Sequence, residues 1–295
     1  MTDAVKGRLY AGFTIIIWGS SLTSAQTLLS ELDPLQVVVF RFILGYITLF
    51  AIRPRVKTPK NLREELSLFL AGFFGVTLYM FLQNIALRFT SAANVSLITS
   101  AAPLLTAWLF AVIYREKPSK RFLIGFCVAI SGIFLIVYED SGDSGLLGDA
   151  FALLASASWA AYGAAMKNAL SNGDVIETNR RVFFYGIITM LPMTVAFRTP
   201  LSLAPLKNPV ITLNLLYLSV LSSAACFVTW SKAGEFLGVV KASSYLYLTP
   251  VVTIITSFIA FGEKITYLAA AGAILVLLGL YISDKKTKRR KPLAH

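Results

Sequence analysis

Few residues in this chain could carry out acid–base, nucleophilic or metal chemistry, and they lie at the ends of long apolar stretches. Its 15 acidic residues and its single histidine, His295, all fall outside the middle of any apolar span. Proton relays in membrane carriers usually need an intramembrane carboxylate or histidine, and an enzyme needs a nucleophile, a base or metal ligands in its core. We therefore predict that the chain is not an enzyme and has no catalytic residue, no metal site, no cofactor and no proton relay.

Arg41 is the one basic residue that falls deep inside an apolar span. It lies well beyond Pro34, about 10 Å into the span by helical rise. A charge at this depth is costly and normally faces a protein cavity or water. Two interpretations follow: Arg41 binds a substrate carboxylate or gates the outer mouth, or it donates hydrogen bonds to carbonyls at a helix end.

Two prolines, Pro103 and Pro250, each lie about twelve residues into an apolar span, close to the bilayer centre by helical rise. Each removes a backbone N–H and displaces the carbonyl four residues earlier, which belongs to Thr99 or Leu246. Two acceptors freed in this way could hold a substrate ammonium, and the bent helices could act as gates. Alternatively, the prolines only bend the helices while neighbouring groups satisfy the carbonyls.

Aromatic and polar side chains at helical spacing are the remaining candidates for a ligand site. Tyr79 and Gln83 are four residues apart and therefore share one face of a helix. Aromatic faces with a few polar tips suit amphipathic ligands, although ordinary aromatic packing produces the same pattern. The candidate substrate-binding residues are Trp18, Tyr79, Gln83, Asn94, Thr99, Trp159, Tyr162, Tyr245 and Leu246, and the candidate gating residues are Arg41, Pro103 and Pro250. Trp108 and Trp230 are expected at a membrane interface, where tryptophan is common.

The elements that must position these residues follow from the composition. Hydrophobic residues make up 56% of the 295 residues and charged residues 14%, well below the roughly 25% of a soluble domain. Continuous apolar runs of about 20 residues predict transmembrane helices, whereas a β-barrel would show alternation. The predicted spans are 9–29, 35–52, 66–87, 91–114, 122–138, 146–166, 182–197, 210–231, 239–261 and 265–282.

The distribution of basic residues indicates the orientation. If the N-terminus is cytoplasmic and ten spans alternate, 22 of the 27 Lys and Arg residues fall on the cytoplasmic side and 4 on the other, with Arg41 inside a span. This bias predicts that both termini are cytoplasmic. It also explains the net charge of +12 without nucleic acid, and the basic tail from Lys285 to Lys291 suits anionic lipid.

The chain contains an internal repeat. Offsets of 147 and 141 residues superpose residues of the first half on like residues of the second. The pairs include Trp18 and Trp159, Ser96 and Ser243, Pro103 and Pro250, Thr106 and Thr253, and Glu116-Lys117 and Glu263-Lys264. Five spans per repeat is an odd number, so the second repeat enters the membrane from the opposite side. Inverted repeats of this kind are typical of secondary transporters, whose substrate site lies near the midplane.

These residues resemble the EamA-type drug/metabolite transporter superfamily over essentially the whole chain. The resemblance rests on the paired Trp18 and Trp159, on Asp33-Pro34 followed by Arg41, and on Pro103 and Glu116 with their mates Pro250 and Glu263. Within the superfamily the chain is similar to the YddG-type aromatic amino acid exporters. The resemblance implies a ten-helix 5+5 inverted fold in the inner membrane and export of amino acids or related metabolites.

We therefore predict an all-α integral membrane protein with ten transmembrane helices in two inverted five-helix repeats. The expected repeats are residues 1–140 and 145–283, followed by a basic cytoplasmic tail at 284–295. Helices 1, 3, 4, 6, 8 and 9 are expected to line a cavity for alternating access. The expected partners are a small metabolite such as an amino acid and membrane lipid, but no nucleic acid. A channel-like facilitator and a carrier for other metabolites or drugs stay open, as does the oligomeric state, with which a monomer is compatible.

Overall fold

Ten long helices form the described part of the chain. The computed structural model describes residues 2–54, 61–100, 102–114, 119–139, 145–169, 174–262 and 267–284, and these contain no strand. The helices are α1 (Asp3–Leu28), α2 (Pro34–Ile52), α3 (Leu62–Phe89), α4 (Ala92–Tyr114), α5 (Lys120–Glu139), α6 (Gly145–Ala169), α7 (Val175–Ala196), α8 (Pro209–Leu237), α9 (Val239–Phe261) and α10 (Tyr267–Asp284). A short 3₁₀ turn, Ala204–Lys207, precedes α8. The predicted fold class, all-α with ten transmembrane helices, is confirmed.

The lengths of the helices fit a bilayer. By length and apolar composition, α2, α3, α4, α8 and α9 are each able to cross a membrane. The other five contain 18 to 26 residues, and α5 and α10 have apolar cores at 123–132 and 270–279. The lipid-facing surface is apolar, as Ile16, Ile47 and Val195 illustrate with exposed fractions of 60%, 54% and 79%. The chain is therefore a multi-pass membrane protein.

Aspartate caps set the starts of two helices in equivalent positions of the two repeats. Asp33 accepts a hydrogen bond from the Leu35 N–H at 3.0 Å, and Asp174 accepts one from the Ile176 N–H at 2.9 Å. Each side chain satisfies a donor that a helix N-terminus would otherwise leave unpaired. The cap at Asp174 starts α7 at Val175, seven residues before the predicted apolar span 182–197.

Four helices depart from regular α geometry, and they do so in repeat-related pairs. α3 contains a π-helical segment at Gly72–Leu78, and its mate α8 contains one at Tyr217–Ala225. α4 is interrupted after Thr99 and resumes at Ala102, and its mate α9 tightens into a 3₁₀ turn at Ser244–Leu248. Such departures are frequent at functional sites.

The main helix contacts are preserved when the two repeats are exchanged. α1 packs on α8 and α9, and its mate α6 packs on α3 and α4. α2 packs on α8 and α7 on α3, while α2 contacts α7, α4 contacts α9, and α5 contacts α10. This invariance is the signature of a pseudo-two-fold axis, and the odd number of helices in each repeat places that axis in the membrane plane.

Small residues allow the closest of these contacts. A Cβ on Gly279 of α10 would overlap the carbonyl oxygen of Gly125 on α5. A Cβ on Gly75, in the π-helical segment of α3, would overlap the ring of Tyr162. Substitution at either glycine would therefore force the helices apart. The predicted repeat mates Glu116-Lys117 and Glu263-Lys264 lie outside the described residues, as do residues 285–295 of the basic tail.

Candidate functional site

An open cavity lies near the middle of the bundle, and its empty space, part of it continuous with the outside, totals about 510 Å³. Its walls come from α1, α2, α3, α4, α6 and α9, so α2 takes the place that the sequence assigned to α8. We call it the main cavity, and it is lined by Trp18, Ser21, Leu22, Arg41, Tyr79, Met80, Gln83, Thr99, Ser100, Ala102, Trp159, Leu246 and Thr249. It therefore gathers six of the predicted substrate-binding residues, together with the predicted gating residue Arg41. No acidic residue is among them.

The guanidinium of Arg41 is buried at the wall of the main cavity, with 3% of the residue exposed. Its Nε donates to the Ser223 hydroxyl at 2.6 Å, and its Nη2 donates to the Ser222 hydroxyl at 2.9 Å. Both serines belong to the π-helical segment of α8. The predicted alternative, bonding to helix-end carbonyls, was wrong. Within the described ranges no carboxylate pairs with Arg41.

Three aromatic rings line the main cavity together with this guanidinium. Trp18 and Trp159, the repeat mates, meet edge to face with ring centroids 5.2 Å apart, and Tyr79 lies 4.8 Å from Trp159. The Trp18 indole N–H donates to the Ser222 carbonyl at 2.9 Å, and the Gln83 amide donates to the Tyr79 hydroxyl at 2.8 Å. These hydrogen bonds hold the rings in place, so the cavity wall is rigid and partly aromatic.

The two prolines lie just outside the main cavity, each near the start of a half-helix. Pro103 is in the first turn of the segment that begins at Ala102, and Pro250 is in the first turn of Thr249–Phe261. Proline is favourable there, because its missing N–H would have had no helical partner. Both proline side chains are buried. The residues directly before them, Ala102 and Thr249, line the main cavity.

The carbonyl of Leu246 is not free, which corrects the expectation drawn from Pro250. The 3₁₀ turn brings the Thr249 N–H onto the Leu246 carbonyl, so the acceptor that proline leaves is satisfied three residues on. The Thr249 hydroxyl is buried at the cavity wall without a hydrogen-bond partner. The sequence did not single out Thr249, although its place directly before a midspan proline could have indicated it.

Three predicted substrate-binding residues do not line the main cavity. Asn94 is in the first turn of α4, where its backbone N–H and its amide donate to Ser91 and Thr90. Tyr245 is half-buried and packs against the hydrophobic core. Tyr162 lies on the far side of Trp159, with the two ring centroids 4.7 Å apart.

Tyr162 belongs to a layer of rings that closes the floor of the main cavity. The aromatic layer consists of Trp18, Trp159, Tyr162, Phe227 and Trp230. Trp230 lies 5.1 Å from Trp18 and is 8% exposed, so the expectation that it stands at a membrane interface was wrong. α8 packs along α1 and turns the ring inward. Trp108, at 64% exposed, does face outward.

A second, smaller pocket lies on the other side of the aromatic layer. It is formed by α6, the end of α8 and the start of α9, near the N-terminal end of α1, where Tyr10 stacks on Phe236. Its walls are Tyr162, Gly163, Met166, Trp230, Ser231, Gly234, Val239 and Ala242. The rings of the aromatic layer thus separate two cavities in the bundle.

Comparison with known families agrees with this architecture. The model of the EamA-like transporter family matches the chain twice, at residues 5–138 and 146–283. The chain belongs to the EamA-like transporter family. The EamA-like match covers both halves of the repeat, and members of this family are transporters rather than enzymes.

Curated relatives share the full length of this EamA-like chain. An uncharacterized transporter of Archaeoglobus fulgidus is 29% identical over 95% of this chain and 98% of its own. A probable terminal-alkyne amino-acid exporter of Streptantibioticus cattleyicolor is 26% identical over 94% and 93%. A probable amino-acid metabolite efflux pump of Escherichia coli is 26% identical over 97% of each. A solved crystal structure has the same fold, with a TM-score of 0.71 at 16% identity, and covers 94% of this chain and 96% of that one.

Proposed function

We propose that this transporter exports amino acids, including aromatic ones, or related small metabolites by alternating access. The observation that carries the proposal is the buried guanidinium of Arg41, which faces the main cavity without a carboxylate partner among the described residues. The names of the Streptantibioticus and Escherichia relatives add support for amino-acid efflux. Arg41, the aromatic rings and the half-helix ends would each contact a different part of the substrate.

The substrate carboxylate would bind Arg41. A guanidinium has five N–H donors, and the two serine hydroxyls occupy only two of them. A buried charge is costly unless it is paired, so the empty cavity leaves Arg41 in an unfavourable state that an incoming carboxylate relieves. The serines hold the fork in position, and a bidentate contact would then fix the orientation of the substrate.

The substrate ammonium and side chain would meet the other walls. Pro103 has no N–H to offer the Thr99 carbonyl, and the unpartnered Thr249 hydroxyl lies at the cavity wall near the equivalent turn of α9. The faces of Trp18, Trp159 and Tyr79 attract a cation by about 0.5–2 kcal/mol and also suit an aromatic side chain. Arg41 and these groups together match a zwitterion with an apolar side chain.

The sidedness follows from charge. With ten alternating spans, 22 of the 27 Lys and Arg residues fall on the same side of the membrane as the N-terminus. Both termini would therefore be cytoplasmic in the inner membrane. The second pocket would then open toward the cytoplasm, and the main cavity would lie toward the opposite face. Pro103 and Pro250, at the half-helix starts, would bend the gating helices α4 and α9.

Counterflow in proteoliposomes tests the function. Vesicles loaded with unlabelled L-phenylalanine should take up radiolabelled L-phenylalanine faster than unloaded vesicles, and the flux should saturate. Phenethylamine, which lacks the carboxylate, and 3-phenylpropionate, which lacks the ammonium, should each compete at least about tenfold more weakly, the equivalent of one charge-assisted hydrogen bond.

Two results would contradict the proposal. Flux without saturation or trans-stimulation would identify a channel-like facilitator. Saturable flux of other metabolites with no response to any amino acid would show that the substrate class is wrong. Protein-free vesicles and vesicles containing an unrelated membrane protein provide the background.

A further inference from the structure

The second pocket is the repeat-related counterpart of one arm of the main cavity. Three residues of its wall are the repeat mates of three residues of the main-cavity wall. At the repeat offsets of 141 and 147 residues, the pairs are Tyr162 with Ser21, Gly163 with Leu22, and Trp230 with Gln83. We call the part of the main cavity at Ser21, Leu22 and Gln83 the first-repeat arm. Because the two repeats are inverted, this arm and the second pocket lie toward opposite membrane faces.

The two equivalent places differ in how much space their side chains fill. The first-repeat arm is continuous with the main cavity, whereas the aromatic layer separates the second pocket from it. At the equivalent positions, the indole of Trp230 replaces the amide of Gln83, and the phenol of Tyr162 replaces the hydroxymethyl group of Ser21. The larger side chains therefore fill a passage that the smaller ones leave open.

Trp230 is the ring that stands between the two cavities. Its centroid lies 5.1 Å from that of Trp18 and 6.2 Å from that of Trp159, and both of these rings line the main cavity. Trp230 itself lines the second pocket and is 8% exposed. The two cavities can join only if this ring moves.

The start of α9 narrows the second pocket from another side. Val239, the first residue of α9, lines the second pocket, and a Cβ on Gly163 of α6 would lie 3.3 Å from its Cγ1 methyl. The missing side chain lets α9 approach the backbone of α6 closely. The equivalent residue of α1 is Leu22, whose full side chain lines the main cavity.

We propose that Trp230 is the gate of the transport route at the N-terminal face, which is the membrane face where α1 begins. The second pocket is then the vestibule that widens when this ring withdraws. The inference rests on the alternating access proposed above. In the opposite state, the second-repeat members of the three pairs line an open arm, and the first-repeat members pack together.

Exchanging the residues of one pair tests the gate. Trp230→Gln gives the second repeat the side chain that the first repeat carries, and Gln83→Trp makes the reverse exchange. The reporter is Ser21→Cys in the main cavity of the full-length protein, with the exposed Cys127 replaced by serine. The buried Cys226 of the parent gives the background rate. A small impermeant methanethiosulfonate is applied to sealed vesicles of each orientation.

The expected results differ between the two faces. Trp230→Gln should raise the labelling rate of Ser21→Cys from the N-terminal face about tenfold, through a tenfold change in the ratio of the two states. Gln83→Trp should lower the rate from the opposite face by a similar factor. Trp108→Gln is the matched control and should change neither rate, because Trp108 is 64% exposed and faces outward.

Gly163→Leu is a second variant that leaves Trp230 in place. It installs the side chain of the repeat mate and would push Val239 away from α6, so it destabilises the packed arrangement. It should also raise labelling of Ser21→Cys from the N-terminal face. This variant keeps the gate testable if Trp230→Gln reaches the membrane in low amounts.

Three outcomes would overturn the proposal. The first is unchanged labelling from the N-terminal face in Trp230→Gln and Gly163→Leu at normal amounts in the membrane. The second is an equal rise in Trp108→Gln, and the third is an unchanged rate from the opposite face in Gln83→Trp. Labelling requires no substrate, so a failure of L-phenylalanine counterflow in the parent bears only on the proposed function, and the two proposals can fail separately.

Discussion

Arg41 and the ion pairs at the helix ends show how differently charge is handled at two depths. Arg41 is buried and relies on two neutral hydroxyls. Near the start of α7, Arg181 instead pairs with Glu64 and Glu65 of α3. Among the described residues the interior charge has no acidic partner, whereas the charge at the helix end is neutralised by two carboxylates. We expect removal of Arg41 to impair mainly substrate binding and removal of Arg181 to impair mainly stability.

Removing the Arg41 fork should impair substrate binding more than folding. Arg41→Gln keeps at most the hydrogen bond from the Nε position to Ser223 and loses the charge. We expect the KM for L-phenylalanine to rise about ten- to hundredfold, since charged hydrogen bonds contribute roughly 1.5–3 kcal/mol. The KM of Arg41→Lys should lie between those of the parent protein and of Arg41→Gln. The measurement is saturable counterflow, with Arg88→Gln as the matched control, because Arg88 makes only a half-exposed ion pair with Asp33 at 3.7 Å. Equal effects of Arg41→Gln and Arg88→Gln would exclude Arg41 from the site.

Removing Arg181 should instead lower stability. Arg181→Ala would leave Glu64 and Glu65 together without their cation, and the pairs are mostly buried. We expect a loss of about 1–2 kcal/mol, between exposed and fully buried pairs, seen as a lower melting temperature in detergent. The control is Lys232→Ala, whose pair with Glu235 at 2.9 Å is exposed and should matter little. A smaller drop for Arg181→Ala than for Lys232→Ala would refute this difference.

At the scale of elements, we propose that the broken helices α4 and α9 are the parts that move during transport. Each consists of two half-helices that meet at the cavity wall, and a proline begins the second half of each. The Leu246 carbonyl, which Pro250 cannot bond, already accepts a hydrogen bond from the Thr249 N–H in the 3₁₀ turn. The break in α9 therefore leaves no unsatisfied carbonyl at Leu246. A regular helix through this point would need the N–H that proline lacks.

Alanine at these positions should shift the conformational equilibrium rather than prevent folding. Pro103→Ala and Pro250→Ala each restore an N–H and permit the half-helices to join. A shift of about 1.4 kcal/mol changes a population ratio tenfold, so we expect normal amounts of protein in the membrane but much reduced transport. By pseudo-symmetry, the two variants should shift the conformational equilibrium in opposite directions. Labelling of Ser21→Cys from one side of the membrane should therefore rise in one variant and fall in the other.

The matched control for both variants is Pro209→Ala. Pro209 also begins a helix, α8, but it is exposed and far from the cavity wall. Its replacement should leave flux and two-sided labelling unchanged. Normal flux in Pro103→Ala and Pro250→Ala would reduce both prolines to static bends.

At the scale of the whole molecule, the proposed alternating access requires two conformations of similar energy, which an inverted repeat can supply. The contacts of the two repeats exchange under the pseudo-two-fold axis, so a state open on one face has a counterpart open on the other. Which face is cytoplasmic is a prediction from charge. A cysteine placed among residues 140–144 should react with an impermeant thiol reagent from outside the cell, and one among residues 55–60 should not. The reverse labelling would invert the orientation.

The absence of acidic residues from the main cavity gives a second prediction for the whole molecule. No lining residue can exchange a proton at physiological pH, so counterflow of L-phenylalanine should proceed without an imposed pH gradient. Fluxes measured with equal internal and external pH, with and without a protonophore, should agree. Concentrative uptake that disappears when the proton gradient collapses would require a coupled carboxylate elsewhere, and Glu177, buried near the start of α7, would be the first to substitute.

The sequence alone was enough to predict the number of helices, their inverted repeat and most of the residues around the main cavity. A bilayer demands about 20 apolar residues per span and internal satisfaction of every backbone hydrogen bond, so local pattern and length suffice for that prediction. Depth in the membrane follows from position along a span. This is why Trp18 and Trp159 could be assigned near the midplane, and Arg41 about 10 Å into its span, without a structure.

Only the tertiary structure decided which side chains meet. Arg41 donates hydrogen bonds to Ser222 and Ser223, which lie 181 and 182 residues further along the chain. They meet because the π-helical segment of α8 turns both serines toward α2. Trp230 lies in the aromatic layer and not at an interface, because α8 packs along α1. Sequence pattern gives the depth of a residue, but its rotation about the helix axis depends on contacts between distant helices.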